Sequence, residues 1–220
     1  MPNPVRVKIC GVTSQQSMQD VASAGAHYAG LVFFAKSPRF VTFDEARSIS
    51  IVAPPCVAKV ALVVNPDNIL LERLVAEVPL DMIQLHGGET PERVVEIKQK
   101  TGLPVMKSVG LSEPDDLKTL DIYAGVADQI MVDAKPAEDT SLPGGNGFTF
   151  DWSLLEGKHW TVPWMLAGGL NSQNVLQAIK ITGAQQIDVS SGVESSPGKK
   201  DKEKINAFVK AAQASNFVEV

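Results

Sequence analysis

The feature that most constrains this chain is an alternation. Short runs rich in β-branched residues are separated by amphipathic helical stretches from one end to the other. The strand-like runs fall at Val5–Ile9, Tyr28–Phe33, Cys56–Val64, Asp81–Leu85, Pro104–Lys107, Asp128–Asp133, Pro163–Ala167 and Gln186–Val189. They read as near-continuous apolar segments, as parallel strands covered on both faces should. Helical periodicity covers Ser14–Ala24, Phe43–Ile51, Pro66–Glu77, Glu89–Lys100, Asn171–Ile181 and Asp201–Ala212. Asn65-Pro66, Thr90-Pro91 and Glu113-Pro114 put proline near a helix start, where its missing N–H costs little. Gly25, Gly102, Gly125 and Gly183 follow helical runs, where a left-handed cap is wanted.

Alternation of this kind implies a parallel sheet, and eight strands with a helix behind each are the number that closes a barrel. The rival, an open doubly wound sheet, has fewer strands and a Gly-rich fingerprint after the first. Here the first strand ends Ile9-Cys10-Gly11-Val12, with no GxGxxG. No linker, low-complexity tract or composition break divides the chain. The expectation is one α/β domain over residues 1–220, a single (β/α)8 TIM barrel with short loops, the stretch Ala134–Gly147 being the long exception.

Bulk properties narrow the function. At 220 residues, 44% hydrophobic and 20% charged, the chain can bury a core without a metal or disulfide staple. A net charge of −5 argues against a nucleic-acid partner or a polybasic membrane contact, and the scattered aromatics offer no stacking platform. An anionic ligand would need a local positive pocket. The two cysteines, Cys10 and Cys56, have neither zinc nor redox spacing and read as reduced thiols. Met1–Lys8 lacks the apolar core of a signal peptide, and no apolar run is long enough to cross a bilayer, so a cytoplasmic location is expected.

In such barrels the chemistry sits at the C-terminal ends of the strands. The first strand ends at Cys10, either a small buried hydrophobe or a thiolate acting as general base. The sixth ends at Asp133, a carboxylate that either caps a loop or serves as an acid or base in the barrel mouth. After it comes Pro143-Gly144-Gly145-Asn146-Gly147, either a flexible turn or a lid. Ala167-Gly168-Gly169-Leu170 and Asp188-Val189-Ser190-Ser191-Gly192-Val193 follow the seventh and eighth strands, where this fold often cradles a phosphate. Arg39, after the second strand, is a solvated charge or a fork for a carboxylate or phosphate. His27, His86 and His159 show no metal-ligand spacing, though His86 should face the mouth and order polar neighbours. The charge run Lys199–Lys204 reads as the solvated start of the last helix.

Singly these signals are weak; in order they resemble one family. Lys8-Ile9-Cys10-Gly11, Ser37-Pro38-Arg39-Phe40-Val41, Gln84-Leu85-His86-Gly87, the Gly-rich loop leading into Phe150-Asp151-Trp152, Ala167-Gly168-Gly169-Leu170, Asp188-Val189-Ser190-Ser191-Gly192-Val193-Glu194 and Pro197-Gly198-Lys199-Lys200-Asp201 resemble phosphoribosylanthranilate isomerases. Two positions depart from the family pattern: Asn146 stands where Thr is usual, and Ala167 where Ser is often found.

The resemblance implies an Amadori rearrangement of N-(5-phosphoribosyl)anthranilate to the 1-deoxyribulose 5-phosphate isomer, the third step of tryptophan synthesis from chorismate. It implies Asp133 as the acid, protonated through partial burial, and Cys10 as the base, its thiol shifted down. Arg39 would meet the anthranilate carboxylate, and Gly145 would lie in a lid over the substrate. Gly169, Ser190, Ser191 and Gly192 would hold the phosphate, with Asp188 supporting that loop. The iminium nitrogen is itself an electron sink, so no cofactor, metal or nucleotide is expected. The only partner expected is a small phosphorylated aminosugar, bound by a monomer or homodimer. Three alternatives stay open: an isomerase of a histidine-pathway aminosugar, which pairs two aspartates; an indole-forming synthase, which needs a lysine acid such as Lys107; and a non-catalytic phospholigand-binding barrel.

Overall fold

The computed structural model describes residues 4–135 and 149–214. Eight parallel strands form a closed barrel in sequence order: β1 (Arg6–Cys10), β2 (Tyr28–Val32), β3 (Ala58–Val63), β4 (Met82–Leu85), β5 (Val105–Leu111), β6 (Gln129–Ala134), β7 (Trp164–Leu166) and β8 (Gln186–Val189). Closure comes from β1 pairing with β8, Lys8 opposite Asp188. The fifth strand runs past the expected end at Lys107, because Ser108 to Leu111 keep their ladder with Met131 to Ala134.

The helices are α1 (Gln15–Ser23), α2 (Phe43–Ile51), α3 (Asn68–Glu77), α4 (Pro91–Thr101), α5 (Asp116–Ala124), α6 (Val175–Thr182) and α7 (Lys202–Gln213). Their starts carry side-chain caps: Ser14 and Thr42 in reciprocal capping boxes, and Asp67, Thr90 and Asp201 accepting from the first turn. Gly102 and Gly183 end α4 and α6 in the left-handed region, whereas Gly125 ends α5 with a right-handed φ of −77°. None of these helices is long and apolar enough to cross a membrane.

Among the described residues, an α-helix stands behind every strand but the sixth. In the described part of the β6–β7 connection, only a single 3-10 turn, Trp152–Leu155, covers the sheet. Gly157, at φ +68°, turns the chain away just beyond it. The turn still fills the gap: Leu155 is buried, and Trp152 and Leu154 pack on the core.

A second 3-10 turn, Ser191–Val193, follows β8 and leads into a small antiparallel hairpin, β9 (Glu194–Ser196) and β10 (Lys199–Lys200). The run Lys199–Lys204 is therefore not simply a solvated helix start. Lys200 is buried on Glu194, and Lys204 donates to the Glu194 carbonyl oxygen at 2.6 Å.

Strand alternation divides the barrel into an outer apolar shell and a lumen. Ile9, Leu31, Ile83, Leu85, Ile130, Val132 and Ile187 belong to the shell packed under the helices. Low in the lumen, the Tyr28 hydroxyl and the Gln129 amide both donate to Gln186 Oε1, at 3.0 and 3.2 Å. Val60, Met106, Met131 and Met165 make up an apolar layer with Tyr28. Two residues beyond the lumen residues Lys8, Gln84, Met131 and Asp188 come Cys10, His86, Asp133 and Ser190, which the pleat brings to the C-terminal mouth.

Candidate active site

Cys10 is the last residue of β1 and is 5% exposed. It clusters with Val32 and Leu62, and Phe34 and Val64 pack against that cluster. Two residues earlier, on the same side of the strand, Lys8 is fully buried and donates through Nζ to Asp188 Oδ1 at 2.8 Å. Glycine at position 30 makes room for both: a Cβ there would lie 3.0 Å from Cys10 Sγ and 3.3 Å from Lys8 Nζ. Burial pushes the Cys10 thiol up, against the pull of the Lys8 and Lys200 ammonium groups. The downward shift expected from the sequence is thus reversed, because desolvation outweighs the cations.

Asp133 closes β6 one residue before its end. Its Oδ1 accepts from the Ala134 N–H at 2.8 Å, and its Oδ2 lies 3.3 Å from His86 Nε2. Behind the imidazole, the Gln84 amide nitrogen sits 3.1 Å from His86 Nδ1 and donates to Ser108 Oγ at 2.9 Å. A cavity of about 640 Å³ opens here, lined among others by Phe34, Val64, His86, Lys107, Ser108 and Asp133. Phe34 and Val64 form part of its wall and also pack against the small cluster of Cys10, Val32 and Leu62; the thiol and the carboxyl group both stand at strand ends on the C-terminal rim.

Lys107 also borders the cavity, but its ammonium is held by Glu89 Oε2 at 2.9 Å and the Gly87 carbonyl at 2.7 Å. Burial pulls its pKa down, with Glu89 opposing. A lysine acid of the kind an indole-forming synthase needs is here tied into an ion pair.

Arg39 does not point freely into solvent. It is 6% exposed, and Nε and Nη2 donate to Glu194 Oε1 and Oε2 at 2.8 and 2.9 Å. Lys200 donates to the same Oε1 at 2.7 Å and to the Ser190 carbonyl at 3.0 Å. Two cations share one carboxylate, leaving a net positive charge beside the β8 loop within an acidic protein. The third guanidinium nitrogen of Arg39, Nη1, has no partner among the described residues.

The loops after β7 and β8 are brought together. Gly168 and Gly169 both take positive φ, 87° and 60°, and the Gly169 carbonyl accepts from Asn174 Nδ2 at 3.0 Å. Gly192 abuts the Leu170 carbonyl so closely that a Cβ has no room. Ser190 Oγ donates to the Cys10 carbonyl at 3.1 Å, linking this corner to the thiol, and Ser191 opens the short turn that follows. Asp188 is committed to Lys8, deeper in the lumen than the loop it was expected to support. Gly145 and the rest of the expected lid lie outside the described residues. Among the described residues, no group of three or more His, Cys, Asp or Glu side chains is placed to hold a metal ion.

Sequence reasoning assigned no role to Lys8, Glu194 or Lys200. The signal for Lys8 was present: a lysine inside an apolar strand, at even spacing from Cys10, must share its face. For Glu194 and Lys200 no local pattern reveals that a hairpin folds them onto Arg39.

Fold and mouth together define a (β/α)8 barrel of the enzyme class, with ionisable groups gathered at its C-terminal rim. Residues 7–211 match the family model described as N-(5'-phosphoribosyl)anthranilate (PRA) isomerase. The chain is 56% identical to the N-(5'-phosphoribosyl)anthranilate isomerase of a Ruegeria species, over 96% of this chain and 98% of the relative. It is 54% identical to that of Cereibacter sphaeroides, over 95% and 99%. The phosphoribosylanthranilate isomerase structure from Thermotoga maritima superposes with a TM-score of 0.85 at 36% identity, covering 96% of this chain and 99% of that one. A further structure of this isomerase, in complex with reduced 1-(o-carboxyphenylamino)-1-deoxyribulose 5-phosphate, gives 0.81 at 34% identity, with coverage of 96% and 99%. The chain belongs to the N-(5'-phosphoribosyl)anthranilate isomerase family.

Proposed function

We propose that the chain converts N-(5'-phosphoribosyl)anthranilate to 1-(2-carboxyphenylamino)-1-deoxyribulose 5-phosphate, with Asp133 as general acid and Cys10 as general base. The observation that carries this reading is the position of Cys10 and Asp133 at strand ends on one rim of the barrel, with Phe34 and Val64 in both the cavity wall and the packing around the Cys10 cluster.

Asp133 gives a proton to the furanose oxygen as the C1–O bond breaks, and the anthranilate nitrogen lone pair forms the C1=N iminium. The Cys10 thiolate then removes the proton from C2, and the freed electron pair moves into the iminium to give an enaminol. Loss of the C2 hydroxyl proton and protonation at C1 yield the ketone. Positioned groups of this kind contribute about 10²–10⁴-fold each.

Around them, the Arg39 guanidinium, steadied by Glu194, takes the anthranilate carboxylate through its remaining nitrogen. Gly169, Ser190, Ser191 and Gly192 form the phosphate corner, where the surplus positive charge of Arg39 and Lys200 favours an anion. Asp188 serves indirectly, by holding Lys8. Gly145 belongs to a lid over the bound sugar. The chain acts as one domain in the cytoplasm, as a monomer or homodimer; one related structure is described as monomers of a dimeric isomerase from Thermotoga maritima.

The test is to mix the purified chain with freshly prepared phosphoribosylanthranilate and follow the substrate's fluorescence. Decay in proportion to added protein is expected. Saturable binding with no decay would instead make this a phospholigand-binding barrel.

A further inference from the structure

The lumen holds one ion pair directly below the proposed base. At the neighbouring inward positions the barrel is filled by Val60, Met106, Met131 and Met165, so an apolar layer is sterically available to this fold. Lys8 and Asp188 instead face each other across the β1–β8 seam. Replacing a buried ion pair by apolar residues of similar volume is often neutral or stabilising, so a folding role gives little reason for a charge here. What the pair does have is a neighbour. A Cβ built on Gly30 would lie 3.0 Å from Cys10 Sγ and 3.3 Å from Lys8 Nζ, so the thiol and the ammonium border the same small space.

We propose that Lys8 is a positioning residue for the reaction: its buried ammonium, fixed by Asp188, is the counter-cation against which the Cys10 thiolate forms. This rests on the reading of Cys10 as the base. Burial alone would strip Lys8 of its proton, but the facing Asp188 and Cys10 charges outweigh it and keep the ammonium charged. The groups whose charges act on Cys10 are Lys8 from β1, Asp188 from β8 and Lys200 from β10; β2 brings only Gly30 and Val32 to the thiol. Lys8 is the foremost of the two cations that favour the thiolate. With Cys10 neutral, Lys8 and Asp188 cancel. When Cys10 loses its proton, the ammonium is shared between two anions without any charge having to enter the lumen.

The experiment measures alkylation of Cys10 by iodoacetamide against pH, in a Cys56→Ser background that removes the exposed thiol. One variant, Lys8→Met with Asp188→Asn, removes the pair without leaving a lone charge. A second, Gly30→Ala, keeps both charges and presses a methyl group against both Sγ and Nζ. An opposite charge a few ångströms away shifts an ionisation by about one to three pH units. The alkylation midpoint should rise in the double variant, by less than that full amount because Asp188, which opposes the thiolate, is removed with Lys8, and it should also rise in Gly30→Ala. The low-pH limb of kcat/KM should follow, with activity recovering at alkaline pH. Unmoved midpoints overturn the proposal; if the double variant does not fold, an unmoved midpoint in Gly30→Ala overturns it alone. Cys10→Ser separates the two readings. Lost turnover with unmoved midpoints removes Lys8 and keeps the base, while retained turnover removes Cys10 as the base and the role of Lys8 with it.

Discussion

Glu194 grips Arg39 with both carboxylate oxygens, at 2.8 and 2.9 Å, while both side chains lie almost wholly out of water. Glu194 stands at the start of the hairpin after β8, and Arg39 in the loop after β2. The bidentate pair is therefore a strut across the mouth. Lys200 completes it from the other hairpin strand.

Removing the carboxylate strands two buried cations. Glu194→Gln should destabilise the protein by about 3–5 kcal/mol, the usual cost of breaking a buried pair from one side. Urea unfolding at neutral pH measures this, and a loss under 1 kcal/mol would contradict the strut.

The same pair predicts an acid sensitivity. Burial raises the Glu194 carboxyl, but Arg39 and Lys200 outweigh it and hold it below its ordinary value of 4.5. Stability from this group is whole above 4.5 and is lost as pH falls through the lower folded-state value. The gap in unfolding free energy between wild type and Glu194→Gln should narrow as the pH is taken below 4.5. A gap that holds constant down to pH 3 would refute this.

Glu89 knits three elements: it accepts from the Asn65 and Gly87 N–H groups and from Lys107. Glu89→Ala should cost about 3–5 kcal/mol by leaving Lys107 unpaired in the cavity wall, and adding Lys107→Met should restore part of that loss. Chemical denaturation of the single and double variants checks the coupling; simple additivity would show that the two do not interact.

Gly192→Ala should separate the β7 and β8 loops, because the added Cβ meets the Leu170 carbonyl and comes within 3.2 Å of Asn171 Cβ. An overpacking cost of about 1–3 kcal/mol is expected. Since the phosphate is proposed to sit in this corner, KM should rise at least tenfold with kcat much less affected. An unchanged KM would move the phosphate elsewhere.

The barrel was legible because its signal is repeated: each strand and most helices announce themselves by period, and closure follows from their number. The 3-10 turn Trp152–Leu155 before β7 was not, since four residues are too few to show a helical period. Cys10 and Asp133 could be nominated because both end apolar strands, where any polar group stands out. Their environment could not. Whether burial or a cation controls Cys10 depends on Lys8, Asp188 and Lys200 converging from three elements. Arg39 shows the same limit, since its partner lies 155 residues further along the chain.

The most direct test is the turnover of Cys10→Ser and Asp133→Asn on phosphoribosylanthranilate, each compared with wild type under identical conditions. The account predicts that each loses about 10²–10⁴-fold in kcat while the fold survives. Wild-type turnover in either variant would show that the rearrangement does not pass through that group.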